Sequence, residues 1–142
     1  MSTTPKQNKT VIRRFFEAWN NRQPEAFAEL IAPDVVRHCQ ATPAIEIHNL
    51  DQLKEFLAQD TAVFPDSRQT LVHVVAENDF VGVWGVYEGT QNGPIGPLPA
   101  SGLKTQFDFG GVFRLADGKI AEWWITWDNV RILRQLGHMP NI

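Results

Sequence analysis

The chain has 142 residues, 43% of them apolar, and a formal net charge of −3, which fits one globular domain and leaves too little sequence for two independent cores. It has no basic stripe and no block of five or six like charges, which excludes recognition of a nucleic-acid backbone, and no apolar run approaches the ~18 residues of a membrane span. A single cysteine, Cys39, rules out an internal disulfide and a multi-cysteine zinc site and suits a reducing compartment.

Residues 1–10 read as a polar tail without the apolar stretch of a secretion signal, so a soluble, cytoplasmic protein is expected. Residues 11–142 read as one domain. Val11, Ile12, Phe15, Phe16 and Trp19 recur at helical spacing, and Asn20-Asn21 interrupts them. Pro24 opens a second helix, with Phe27, Leu30 and Ile31 inward, that ends at Pro33-Asp34. A short strand from Val35 to about Gln40 follows. Asn49 is placed to cap a third helix, with Gln52 three residues on and Leu53, Phe56, Leu57 and Val63 on its apolar stripe.

Beyond Pro65-Asp66 the pattern changes to β. Arg68 to Glu77 and Phe80 to Thr90 are predicted strands around an Asn78-Asp79 turn. Residues 91–102, with three Gly and three Pro, are a loop. Lys104 to Leu115 and Lys119 to Trp127 form a hairpin at Asp117-Gly118, and Asn129 to Leu136 is a short last helix stopped by Gly137 and Pro140. Helices first and antiparallel strands after predict an α+β fold. Nine Phe and five Trp stand against one Tyr, enough large rings both to fill a core and to line an apolar pocket.

Phe64-Pro65-Asp66, Gly89-Thr90-Gln91, Phe113-Arg114 and Asp117-Gly118-Lys119-Ile120 are followed by Glu122, Trp124 and Asp128, and then by Leu133, Gln135, Leu136 and Gly137. In this order and spacing, with Val35-Val36-Arg37-His38 upstream, the chain resembles the SnoaL-like polyketide cyclases of the nuclear transport factor 2-like superfamily. The resemblance implies a cone: a strongly curved antiparallel sheet, covered by three helices, around an apolar pocket. It also implies an oligomer, no metal or organic cofactor, intramolecular aldol cyclisation of a polyketide ester, and a general acid/base at the position of Asp128. Many relatives carry histidine where this chain has Gln91.

Glu122, Trp124, Thr126 and Asp128 share one strand face. An ordinary aspartate, with a pKa of ~3.9, is too weak a base for a carbon acid. Burial at the pocket floor beside Trp124 would raise it. Immediately before a helix, Asp128 is equally placed to be an N-cap. His38 is the expected proton-exchanging or hydrogen-bonding partner near the cone's opening. Gln91 is a candidate donor to an enolate oxygen. Trp19, Trp84 and Trp124 are expected on the cavity wall. Asp108 is a candidate second acid whose facing depends on the hairpin register: a two-residue turn pairs Phe107 with Asp128, and a bulged three-residue loop pairs Gln106 with it and turns Asp108 inward.

No H-x-H or H-E-x-x-H spacing and no G-x-G-x-x-G loop occurs, so no metal or cofactor is expected. The ligand expected is a small hydrophobic carbonyl compound. Trp123, Ile125 and Trp127, on the other face of their strand, predict a homodimer through the sheet. Two further readings stay open: a binding or assembly module with an inert pocket, and an epoxide-hydrolase-like enzyme, which needs an Asp–Arg–Asp set for which Arg14, Arg37 and Arg114 are available and no spacing singles one out.

Overall fold

The computed structural model describes residues 3–140. Met1 and Ser2 of the predicted tail, and Asn141 and Ile142 at the end of the predicted domain, lie outside the described residues. The first helix, α1, spans Pro5–Asn20, so part of the expected tail is helical. Thr4 and Gln7 start it as a reciprocal capping box: the Gln7 N–H donates to Thr4 Oγ1 and the Thr4 N–H to Gln7 Oε1. The helix buries Ile12, Phe15, Phe16 and Trp19.

A 3₁₀ turn at Pro24–Ala26 leads into a four-residue α2, Phe27–Leu30, and directly into β1, Ile31–Cys39. The strand therefore begins before Pro33-Asp34 rather than after it. It is an edge strand with a register irregularity between Ile31 and Val36, where a proline does no harm because the ladder is already broken. α3, Leu50–Val63, is capped by Asn49, whose side chain accepts from the Gln52 N–H. Among the described residues no helix is long and apolar enough to cross a membrane.

β2 (Arg68–Glu77), β3 (Phe80–Thr90), β4 (Lys104–Ala116) and β5 (Lys119–Trp127) form an antiparallel run, and α4, Asn129–Gln135, is the last element among the described residues. The sheet order is β1-β5-β4-β3-β2, with β1 added parallel to β5. The fold is thus the expected α+β cone, with one parallel pair at its edge. Gly85 lets the sheet curl over its contents. A Cβ there would fall 2.4 Å from Cζ of Phe109 and 2.9 Å from the Thr70 carbonyl oxygen, so the ring lies against bare backbone.

The β4–β5 register decides which side chains point inward. Asp117 and Gly118, both with positive φ, make a two-residue turn between Ala116 and Lys119. The register then shifts, leaving Ala121 unpaired, and continues as Arg114↔Glu122, Phe113↔Trp123 and Phe109↔Trp127. Extended to the strand end, it sets Asp108 level with Asp128, a pairing that neither expected register gives. Trp123, Ile125 and Trp127 consequently join Phe107, Phe109 and Phe113 on the inner face, and Trp123 is 3% exposed. The face carrying Glu122, Trp124, Thr126 and Asp128 is the outer one. Trp84 and Trp124, expected on the cavity wall, are 48% and 40% exposed, and the apolar face expected to pack a second subunit is in fact the lining of the cone.

Candidate active site

The inner face and the helices enclose a cavity of about 910 Å³, towards the upper end of the ~300–1,000 Å³ usual for small-molecule sites. Its aromatic wall includes Phe15, Phe16, Phe109, Phe113 and Trp123, with Phe16 and Phe109 stacked at 5.7 Å. Exposed Ile45 and the 94–98 segment also line it, which puts the Pro-rich loop at the rim.

Within this apolar lining stands one carboxylate among the described residues, Asp60. Leu53 and Leu57 bury one stripe of α3, and the 3.6-residue period carries Phe56, Asp60 and Val63 to the neighbouring stripe, which faces the cavity. Asp60 Oδ1 accepts from the Tyr87 hydroxyl at 2.6 Å, and Oδ2 accepts from Trp19 Nε1 and Ser67 Oγ, each at 3.3 Å. Arg22 fixes Ser67 in turn, donating to its Oγ at 2.9 Å and its carbonyl at 2.8 Å. Burial raises the Asp60 carboxyl above its ordinary value of 3.8, against the opposing pull of Tyr87, Trp19 and Ser67 and of the Arg22 charge. Burial and then the charge of Asp60 push the Tyr87 phenol upward, so Tyr87 stays protonated and remains a donor.

The second charged group in the cavity is Arg37, on the inner face of β1 and 7% exposed. Its guanidinium lies 4.5 Å from the ring centroid of Phe56 and 5.7 Å from that of Trp127. Burial pulls its pKa down, with Cys39 and Asp60 acting the other way. An arginine nonetheless stays protonated in a protein.

The residues singled out in the sequence fall in four places. Trp19 lines the cavity and donates to Asp60. Asp128 is not at the pocket floor: it is exposed and caps α4, Oδ1 accepting from the Val130 and Arg131 N–H groups at 3.0 and 3.3 Å. It shares a shallow outer recess of about 500 Å³ with Asp108, Trp84 and Arg131. There Asp108 accepts from Trp84 Nε1 at 3.2 Å. His38 is also outside, stacked on Trp124 at 5.3 Å and 2.7 Å from Glu122. Its hydrogen bond is the main cause holding the Glu122 carboxyl below its ordinary range. Gln91 is completely buried in its own loop. Its Nε2 donates to the Gly93 and Pro99 carbonyls, and Oε1 takes the Ser101 N–H and lies 2.7 Å from His138. It clasps the 91–102 loop and does not line the cavity. Asp60 and Tyr87 were missed, although the only tyrosine in an aromatic-rich chain was a signal, and Arg37 stood out only as one of three arginines open to a hydrolase.

The raised Asp60 carboxyl has a consequence for stability. A folded state that holds this proton more tightly than the unfolded chain is favoured at low pH. The contribution falls as pH rises from 3.8 through the raised value, and it is flat above. Depressed carboxyls such as Asp66 and Glu122 act in the opposite sense. The test is therefore a difference: urea unfolding of the wild type minus that of Asp60→Asn, measured against pH. It is expected to decline with rising pH across that window, and a flat difference would show that the carboxyl is not raised.

In sequence the chain matches the SnoaL-like polyketide cyclase family over residues 9–136. Among curated proteins none matches it. IdmH from Streptomyces antibioticus, proposed to be a polyketide cyclase, is 30% identical, with 92% of this chain and 99% of that one covered and a TM-score of 0.82. A SnoaL-like protein from Jannaschia sp. CCS1, proposed to be a polyketide cyclase, is 22% identical, with 99% of each chain covered and a TM-score of 0.85. AclR from Streptomyces galilaeus, proposed to be a hydroxylase, is 21% identical over 98% of this chain and 86% of that one, at a TM-score of 0.84. The last two show a shared fold. The family match over nearly all of the sequence, joined by the IdmH likeness, places the chain in the SnoaL-like polyketide cyclase family.

Proposed function

We propose that the cavity holds a hydrophobic carbonyl compound and that Asp60, without metal or organic cofactor, moves a proton at the carbon next to its carbonyl, as in an intramolecular aldol cyclisation or an isomerisation. The observation that carries this reading is the position of Asp60 as the cavity's carboxylate, with its pKa raised by burial. Proton abstraction breaks the C–H bond, the proton passes to Asp60, and the electron pair is left as an enolate. In a cyclisation the enolate carbon then forms the new C–C bond to a second carbonyl, whose oxygen is protonated. A carboxylate shifted towards neutral pH is a stronger base than an ordinary one, and a dry aromatic wall keeps water from competing for the enolate. Tyr87, Trp19 and Ser67 fill three of the roughly four acceptor positions of the carboxylate, leaving about one for the substrate. A hydrolase of the Asp–Arg–Asp kind is not supported, since Asp60 has no second acid beside it among the cavity-lining residues.

The test uses an aromatic ketone, 2-tetralone, and follows exchange of its α-protons in D₂O by NMR. Asp60→Asn is expected to slow the protein-catalysed exchange by about 10²–10⁴-fold, the usual worth of a positioned base. Asp128→Asn is expected to leave it within about threefold, because Asn caps a helix about as well as Asp. Equal losses in the two variants, or none in Asp60→Asn, would contradict the assignment.

We also propose a homodimer through the outer sheet face, where Val75, Phe80, Trp84, Val112 and Trp124 are exposed together. Sedimentation at micromolar concentration is expected to show a dimer for the wild type and a monomer for Trp124→Glu. A monomeric wild type would end this proposal.

A further inference from the structure

Three buried side-chain atoms of cavity-lining residues find no hydrogen-bond partner among the described residues: Arg37 Nη1, Thr42 Oγ1 and Trp123 Nε1. All three can donate. They are also neighbours in the fold, because Arg37 and Trp123 are register partners across the β1–β5 pair, and Thr42 lies just beyond the end of β1. One side of the cavity therefore concentrates unspent donors, and one of them is a permanent cation. Arg37 has no carboxylate within 4.0 Å among the described residues.

Arg22 shows what a structural arginine looks like in the same molecule. Its guanidinium donates to the carbonyls of Asn20, Phe64, Pro65 and Ser67 and to the Ser67 hydroxyl. Arg37 is more deeply buried and has no such set of acceptors. Aromatic contacts with Phe56 and Trp127 stabilise the faces of a guanidinium but satisfy none of its N–H edges. A desolvated cation whose Nη1 has no partner, with Cys39 the side-chain hydrogen-bond partner beside it, is complementary to a planar oxygen anion, which an arginine fork recognises better than any other side chain does.

We propose that Arg37 anchors the carboxylate head of the ligand, so that the cavity selects amphipathic acids: hydrophobic molecules with one carboxylate, the head on the Arg37 side and the body among the rings. The inference rests on reading the cavity as the substrate site and adds the substrate class. It assigns Arg37 to binding and orientation, and leaves the proton transfer to Asp60.

Isothermal titration calorimetry with 2-naphthylacetate and its neutral counterpart 2-naphthylacetamide tests this. The wild type is expected to bind the acid at least about tenfold more tightly than the amide, the scale of one hydrogen bond to a buried charge. Arg37→Met should abolish that preference, and Arg37→Lys should keep part of it. Arg37→Met should also melt at or above the wild-type temperature, because it removes a buried charge that has no carboxylate within 4.0 Å among the described residues. If Arg37→Met does not fold, Arg37→Gln takes its place, and the wild-type comparison needs no variant. Equal affinity of the wild type for acid and amide, or a preference that survives the loss of the charge, would overturn the proposal. So would a lower melting temperature with the preference intact. Since binding involves no proton transfer, a missing acid preference with intact Asp60-dependent exchange would refute the anchor alone. An intact preference without exchange would refute the proton-transfer reading alone.

Discussion

A carboxylate set among aromatic rings is tolerated only if its oxygens are well supplied with donors, and the surroundings of Asp60 meet that condition by drawing the molecule together. Trp19 comes from α1, Asp60 from α3, Tyr87 from β3, and Ser67 from the segment between α3 and β2, where Arg22 holds it. Three elements and a loop thus converge on one side chain, and each donor must arrive in the right place for the charge to be carried at all. Tyr87 is itself part of the cavity wall. Phe64 packs edge-on against Tyr87 and Phe107 stacks on it at 4.9 Å, so the phenol that serves the carboxylate also braces the wall.

Among the described residues the cavity holds two charged groups: Asp60 of α3 with its donors, and Arg37 of β1 beside the unpartnered Thr42 and Trp123. The Arg37 guanidinium lies against Phe56, one helical turn before Asp60, and within electrostatic reach of that carboxylate. The rest of the lining is largely apolar and aromatic. An unpaired buried donor costs about 1–3 kcal/mol, more when charged, so the β1 side is held at some expense to stability. Such costs are characteristic of sites shaped by what they bind. The exterior has its own polar pairs, His38 with Glu122 and Trp84 with Asp108, and these lie on the solvent side of the sheet.

Much of the fold was legible in the sequence because its signals are local. The spans of β2, β3 and β5 follow from β-branched and aromatic runs between turn residues, and the Asn49 cap announces α3. The facing of β5 was not legible. Trp123 and Trp127 point one way and Trp124 the other, so alternation identifies two apolar faces and does not rank them. The neighbouring strand ranks them, since there Phe107, Phe109 and Phe113 alternate with Asp108 and Val112. The unpaired Ala121 then fixes the register in a way that no turn rule anticipates. Asp60 was hidden for a different reason. Its partners are 41, 7 and 27 residues away in sequence, so nothing around it in the chain distinguishes it from a solvent-facing helical acid. Asp128 and Gln91 were conspicuous because of the family resemblance, and their observed bonds are those of a helix cap and a loop clasp.

The chemistry is assigned to the inside of the cone, and the position of a bound carbon acid tests that assignment most directly. A crystal structure of the protein with 2-tetralone is expected to show the ketone within the aromatic cavity, its α-carbon about 3–3.5 Å from the Asp60 carboxylate, the reach of a near-attack geometry. Ketone bound in the outer recess against Asp128, or in the cavity with its α-carbon turned away from Asp60, would contradict it.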